Sequence, residues 1–186
     1  MALTFVSMTC LQAQDLSRLD QDKLIPRKHL ITALDFFKKN KKRIKNQRYL
    51  VIIDYKAHNS KERFYLLDLE SGAVETYLAA HGRNSDPDFD GYATEFSNTP
   101  DSRQTSLGFF TTAETYYGGN GYSLKLNGLS ATNSNARVRS IVIHGASYVN
   151  PGKKIGRSYG CPALEMRYHQ DVIDRIKGGA LVYAAF

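Results

Sequence analysis

At 186 residues the chain has the size of one domain, long enough to bury about two-thirds of the surface its unfolded form exposes, so stability needs neither disulfides nor a metal. Charged residues at 23% and hydrophobic residues at 42% are ordinary values for a folded soluble protein and exclude a compositionally disordered chain. The formal net charge is +7, but no DNA- or RNA-binding motif accompanies it, so nucleic acid is not an expected partner.

Ala2 to Leu11 is uncharged and largely apolar, Gln12-Ala13-Gln14 follows, and charged sequence begins at Asp15. Residues 1–14 therefore resemble a secretory signal, hydrophobic stretch and cleavage site, whose basic start is missing. An exported protein of the periplasm or cell envelope is expected. The apolar stretch is too short to span a bilayer. Removing the signal takes Cys10 with it and leaves Cys161 without a partner. An unpaired thiol in an oxidising compartment is a liability unless it is used.

Residues 15–48 read as an N-terminal basic, helical segment. A helix is expected from Pro26 to Asn46, with proline in its first turn and Leu30, Ile31, Leu34 and Phe37 at helical spacing. Much of the positive charge lies in the run Lys38 to Lys45, read as the solvated C-terminal end of that helix. Peripheral contact of this run with membrane or wall is the alternative.

Residues 49–186 read as the main, β-rich domain. Tyr49 to Asp54, Arg63 to Asp68 and Ala73 to Ala80 suggest a meander of three strands. Residues 82 to 106 form a polar loop of a length that usually serves function. Leu107 to Thr112, Tyr122 to Leu126 and Val138 to Ile143 suggest further strands, with Gly118-Gly-Asn-Gly121 as a hairpin turn. Ala163 to Lys177 has helical spacing, Gly178-Gly179 ends it, and Ala180 to Phe186 suggests a last strand. The fold class expected is a β-rich α+β domain. It has a helix at the N-terminus and another after the cysteine.

The chemistry concentrates near the C-terminus. His144 ends the apolar run Ile141-Val142-Ile143 and precedes Gly145, so the scaffold holds it at the rim of a cleft as a candidate general base. Cys161 lies between Gly160 and Pro162. A thiol needs a base or positive charge to act as a nucleophile, and Gly-Cys-Pro at a helix start would supply backbone N–H groups as well. His81-Gly82 shows a similar strand-end layout and suggests a second cleft residue that contacts substrate. His29, His58 and His169 lack such context and are read as exposed. His81, His144 and Cys161 could instead be a zinc set, although short ligand spacings are missing. Asp86-Pro-Asp-Phe-Asp-Gly91 opens like a calcium loop, but Ser97 stands where the bidentate Glu belongs, so it is read as an acidic turn.

With these residues in view, the chain resembles the L,D-transpeptidase (YkuD-like) catalytic-domain family, in its murein L,D-transpeptidase branch. The resemblance runs from about Tyr49 to the C-terminus. Its pieces are Ala80-His-Gly-Arg83, Phe96-Ser-Asn98, Ser106-Leu-Gly108, Gly121-Tyr-Ser-Leu124, Arg139-Ser-Ile-Val-Ile-His-Gly-Ala146 and Gly156-Arg-Ser-Tyr-Gly-Cys-Pro-Ala163. It implies a mixed β-sheet or sandwich fold and a thioester on Cys161 formed from a peptidoglycan stem peptide. Terminal D-alanine is expelled, and an amine or water resolves the intermediate. His144 matches the family histidine. Ser158 and Gly160 match its Ser-x-Gly-Cys element, and N–H groups around Gly160 and Cys161 would form an oxyanion hole with Gly145 in support. No cofactor or metal is implied, and a monomer is expected. Relatives carry arginine two residues after the cysteine. Here that residue is Ala163, so Arg139 or Arg157 is the expected substitute. Hydrolysis of the stem peptide and non-catalytic wall binding are the alternatives.

Overall fold

The computed structural model describes residues 18–186. The expected signal segment 1–14, with Cys10, lies outside the described residues. Among the described residues no helix is long and apolar enough to cross a membrane.

Helix α1 (Arg27–Asn40) leads into eight strands: β1 (Tyr49–Asp54), β2 (Glu62–Asp68), β3 (Val74–Leu78), β4 (Gly108–Gly118), β5 (Gly121–Gly128), β6 (Val142–Ala146), β7 (Ala163–Glu165) and β8 (Leu181–Ala185). Helix α2 (His169–Ile176) lies between β7 and β8. The strands form one mixed sheet in the order β3-β2-β1-β8-β4-β5-β6-β7. Pairing is antiparallel except at β1–β8 and β6–β7. The sheet curls until its two edges meet: Ala79 bridges Leu164, and Ala80 N–H donates to Ala163 O at 2.9 Å. The β-rich α+β class expected from the sequence is the class observed.

Period-2 alternation sorts the side chains of β1 and β2. Leu50, Ile52, Tyr65 and Leu67 face α1, whose Leu30, Ala33, Leu34 and Phe37 cover them. Val51, Ile53, Phe64 and Leu66 face the interior of the curl, where they share a core with Leu124, Ile143 and Leu164. Val172, Ile173 and Ile176 of α2 fill the same interior and are fully buried.

Three expectations need correction. Helix α1 ends at Asn40 rather than Asn46. Asn40 Nδ2 donates to Phe36 O at 2.9 Å, and Ile44, 1% exposed, pulls the chain into the core beside α1. The strand expected at Val138 to Ile143 begins at Val142, because residues 134–140 form turns closed by Arg139 N–H to Asn135 O and Ile141 N–H to Ala136 O. The helix expected from Ala163 starts only at His169. Ala163, Leu164 and Glu165 instead pair with His144, Gly145 and Ala146 as a short parallel strand, so Cys161 and Pro162 lead into a strand and not into a helix. Burial of Ala163 and Leu164, both 0% exposed, between the two sheet edges outweighs their helical spacing.

Candidate active site

The register of β5, β6 and β7 builds the site. Ser123 pairs with His144, and His144 pairs with Ala163. Directly opposed residues place their side chains on one face of a sheet. Lys125 pairs with Val142 one step along, on the same face. Cys161 precedes Ala163 by two residues and so comes alongside Val142. Its thiol hydrogen-bonds the Val142 backbone N–H and lies 3.6 Å from Ser140 O. The chain thus returns the cysteine to the side of β6, the strand that holds His144. Their hydrogen bonds remain separate: His144 Nδ1 meets Gly145 O at 2.9 Å, and Cys161 Sγ points to Ser140 O.

Burial sets the electrostatics of the pair. Desolvation pushes the His144 pKa below its ordinary value; the Gly145 carbonyl opposes this and nearby His169 adds to it. Desolvation pushes the Cys161 thiol up, with the Val142 N–H and the Arg139 charge pulling the other way. The resting pair is therefore a thiol and a neutral imidazole at neutral pH.

The segment carrying Cys161 is braced by Ser158. Ser158 Oγ donates to Cys161 O at 2.7 Å and accepts from Gly160 N–H at 3.1 Å. An oxyanion held by Gly160 N–H would therefore compete with this hydroxyl. Gly160 adopts φ +120°, and a Cβ there would lie 2.7 Å from Gln104 O. Gly145 is required by close packing: a Cβ would lie 2.5 Å from His169 Nδ1. His169 is 3% exposed and His29 is 6% exposed, so the reading of both as surface residues is wrong. His169 Nδ1 meets Met166 O at 2.9 Å at the start of α2, and His29 Nε2 lies 3.5 Å from Asp54.

His81 is not a cleft residue. It is 0% exposed. The Arg63 guanidinium donates to its Nδ1 at 2.8 Å, and its Nε2 meets Asp86 Oδ2 at 3.1 Å. The donor at Nδ1 fixes the tautomer with its proton on Nε2, directed at the carboxylate. With both ring nitrogens engaged, His81 has no lone pair for a metal. Among the described residues no three His, Cys, Asp or Glu side chains converge as a ligand set. The zinc set of His81, His144 and Cys161 therefore does not assemble. The role of His81 is structural: its carbonyl accepts from Ser158 N–H at 2.8 Å, and Gly82 bridges Ser158. Asp86 accepts from Asp90 N–H at 2.9 Å and Gly91 N–H at 3.1 Å, which closes the acidic turn expected there.

The two arginines expected to meet substrate serve as internal brackets. Arg139 donates to Ser97 O at 2.5 Å, Gln104 O at 2.6 Å, Ser102 Oγ at 3.1 Å and the Ser106 hydroxyl. Arg157 donates to Asp86 O and to Arg83 O at 3.2 Å and stacks on Phe89 at 4.0 Å. The reason is common to both: the loop of residues 82–106 carries carbonyls that no strand satisfies. Arg139 still bears on the site through its charge, which stabilises a thiolate at Cys161.

Sequence reasoning missed Arg63. It is fully buried, with Nε and Nη2 on Ala79 O at 3.0 and 2.9 Å and Nη1 on Ala57 O at 2.7 Å. The one available signal was its place at the start of an otherwise apolar strand.

The model of the L,D-transpeptidase catalytic domain family matches residues 21–185, a span that includes α1. Solved structures similar to this chain include an L,D-transpeptidase from Mycobacterium tuberculosis H37Rv, at 14% identity and a TM-score of 0.49, covering 75% of this chain and 58% of that one. An L,D-transpeptidase from Mycobacterium smegmatis is 15% identical at a TM-score of 0.47, covering 75% and 59%. One from Xylanimonas cellulosilytica is 18% identical at a TM-score of 0.43, covering 73% and 59%. This chain thus spans less than two-thirds of the length of each. No curated protein matches it.

Proposed function

The chain belongs to the L,D-transpeptidase catalytic domain family, and on that premise we propose that it is a cysteine acyltransferase of peptidoglycan stem peptides. The observation that supports this reading is the return of the chain to β6: Cys161 lies two residues before Ala163, the partner of His144, and its thiol hydrogen-bonds the N–H of Val142 on that strand. His144, neutral because it is buried, takes the thiol proton as Cys161 sulfur attacks the carbonyl carbon after the third stem residue. The C–N bond then breaks, and the imidazolium returns the proton to the departing amine of D-alanine. The thioester is resolved by an acceptor amine or by water, which gives up its proton to His144. The S–C bond breaks and the thiol is restored. The substrate lies outside the cytoplasm, so this reading requires export, and the signal-like residues 1–14 support it.

Incubation with disaccharide tetrapeptides and mass spectrometry of the products tests the proposal. Cross-linked dimers identify transpeptidation, and loss of D-alanine alone identifies hydrolysis. Full activity in Cys161→Ala would exclude the mechanism. Sacculus binding unaffected by Cys161→Ala, with neither turnover nor thiol acylation in the unaltered protein, would identify a wall-binding module instead.

A further inference from the structure

A cavity of about 380 Å³ opens next to the residues that hold the Cys161 thiol. It is lined by Tyr116, Lys125, Arg137, Ser140 and Val142. Ser140 and Val142 are the residues whose backbone groups touch the Cys161 thiol, so the cavity and the sulfur share a wall. Lys125 lies on the reactive face because it pairs with Val142, one step from the Ser123–His144 pair. Tyr116 pairs with Ser123 and joins the same face, and the Lys125 ammonium lies 5.2 Å over its ring.

The charges do not balance. Glu114 is the one carboxylate shared by two cations. Arg137 grips it with both terminal nitrogens, at 2.8 and 3.2 Å, and Lys125 Nζ lies 3.1 Å from Oε1. One positive charge is left over. Arg139, next in sequence to Ser140, is held by carbonyls and hydroxyls and makes no ion pair among the described residues. A concave, solvent-accessible site of this size whose two cations share one carboxylate carries the surplus positive charge that a ligand carboxylate would complement.

We propose that the Lys125–Arg137 cavity is a carboxylate-binding subsite that orients the acyl donor across Cys161. The proposal rests on the stem-peptide reading only for the identity of the ligand. The carboxylate comes either from the residue that leaves or from the side chain of the third stem residue.

Alkylation of Cys161 tests the subsite without any peptidoglycan. Anionic iodoacetate and neutral iodoacetamide form the same thioether bond and release the same iodide. The ratio of their rates, read within each variant, cancels changes in the thiol itself. Arg137→Gln with Lys125→Gln should lower the iodoacetate-to-iodoacetamide ratio about threefold, and Glu114→Gln should raise it by a similar factor, the range expected of exposed ion pairs. A ratio unchanged in both overturns the subsite. A second arm uses tetrapeptide substrates. The double variant should raise KM far more than it lowers kcat. Amidating the terminal carboxylate, or the third-residue carboxylate, should abolish this KM effect for whichever group the cavity holds. Persistence of the effect after both amidations also overturns the proposal. If the ratio responds but no stem peptide is turned over, the carboxylate subsite stands and the proposed function fails.

Discussion

Acid should weaken this fold through His81, and the size of the effect follows from its surroundings. Burial, then the Arg63 charge, push its pKa down to about 4 against the Asp86 carboxylate that favours protonation. The geometry gives the reason: a proton added at Nδ1 would face the Arg63 N–H that already donates there at 2.8 Å. The unfolded chain takes up this proton near pH 6.5 and the folded chain only near 4. Stability from the neutral ring is therefore complete above about pH 6.5 and is lost as pH falls towards 4. A separation of about 2.5 units corresponds to about 3 kcal/mol in full, of which about 2 kcal/mol is gone by pH 5. For a domain of this size the full loss lowers Tm by roughly 6–12 °C. Site-resolved NMR titration of the histidine ring protons, assigned with His81→Gln, isolates this group from the others. Denaturant unfolding at pH 7 and pH 5 measures the energy. A His81 ring that titrates at or above pH 6.5 in the folded protein would refute the argument.

Other consequences are open to direct measurement. Alkylation of Cys161 by iodoacetamide should still accelerate above the ordinary thiol midpoint near ~8.5, because burial raises its pKa; a plateau below pH 7 would mean a preformed thiolate. Gly160→Ala should lose about 2–3 kcal/mol in denaturant unfolding and slow thiol acylation, since the new methyl group combines a disfavoured φ with contact on Gln104 O. Arg63→Met should cost about 3 kcal/mol or more, because it strips donors from Ala57 O, Ala79 O and His81 Nδ1 at once. Wild-type unfolding energy in that variant would mean that the buried guanidinium is replaceable by any long side chain.

The candidate pair, His144 and Cys161, stood out in the sequence because its signals are local. The glycine before Cys161 marked a special backbone position, φ +120°, whereas His144, expected at a strand end on the rim of a cleft, lies in the middle of β6 and is 3% exposed. The meander of β1 to β3 was legible for the same reason, through alternation and turn residues. What failed depended on partners distant in sequence. Ala163 to Glu165 have helical spacing, but β6 and the returning edge at Ala79 and Ala80 claim them as a strand. His81 looks like a second cleft histidine until Arg63 and Asp86 close over it. Arg139 and Arg157 look like free cations until the carbonyls of residues 82–106 take their donors.

The strand that follows Cys161 bears on how the proposed nucleophile would be activated. A helix start would have placed the sulfur in a favourable field and lowered its pKa before substrate arrives. Here a strand follows, Gly160 N–H is already committed to Ser158, and burial raises the thiol. In the proposed mechanism activation therefore accompanies attack, with proton transfer to an imidazole that burial keeps neutral. A neutral resting thiol is also the form less prone to oxidation, since the thiolate is the reactive species. Arg139 is the residue that links the two states. Its charge acts on sulfur while its donors are held by the loop, so in the proposed mechanism it favours a thiolate without providing a hydrogen bond that would trap it. Arg139→Gln should accordingly move the alkylation midpoint of Cys161 further upward, and a midpoint that stays in place would remove Arg139 from this role.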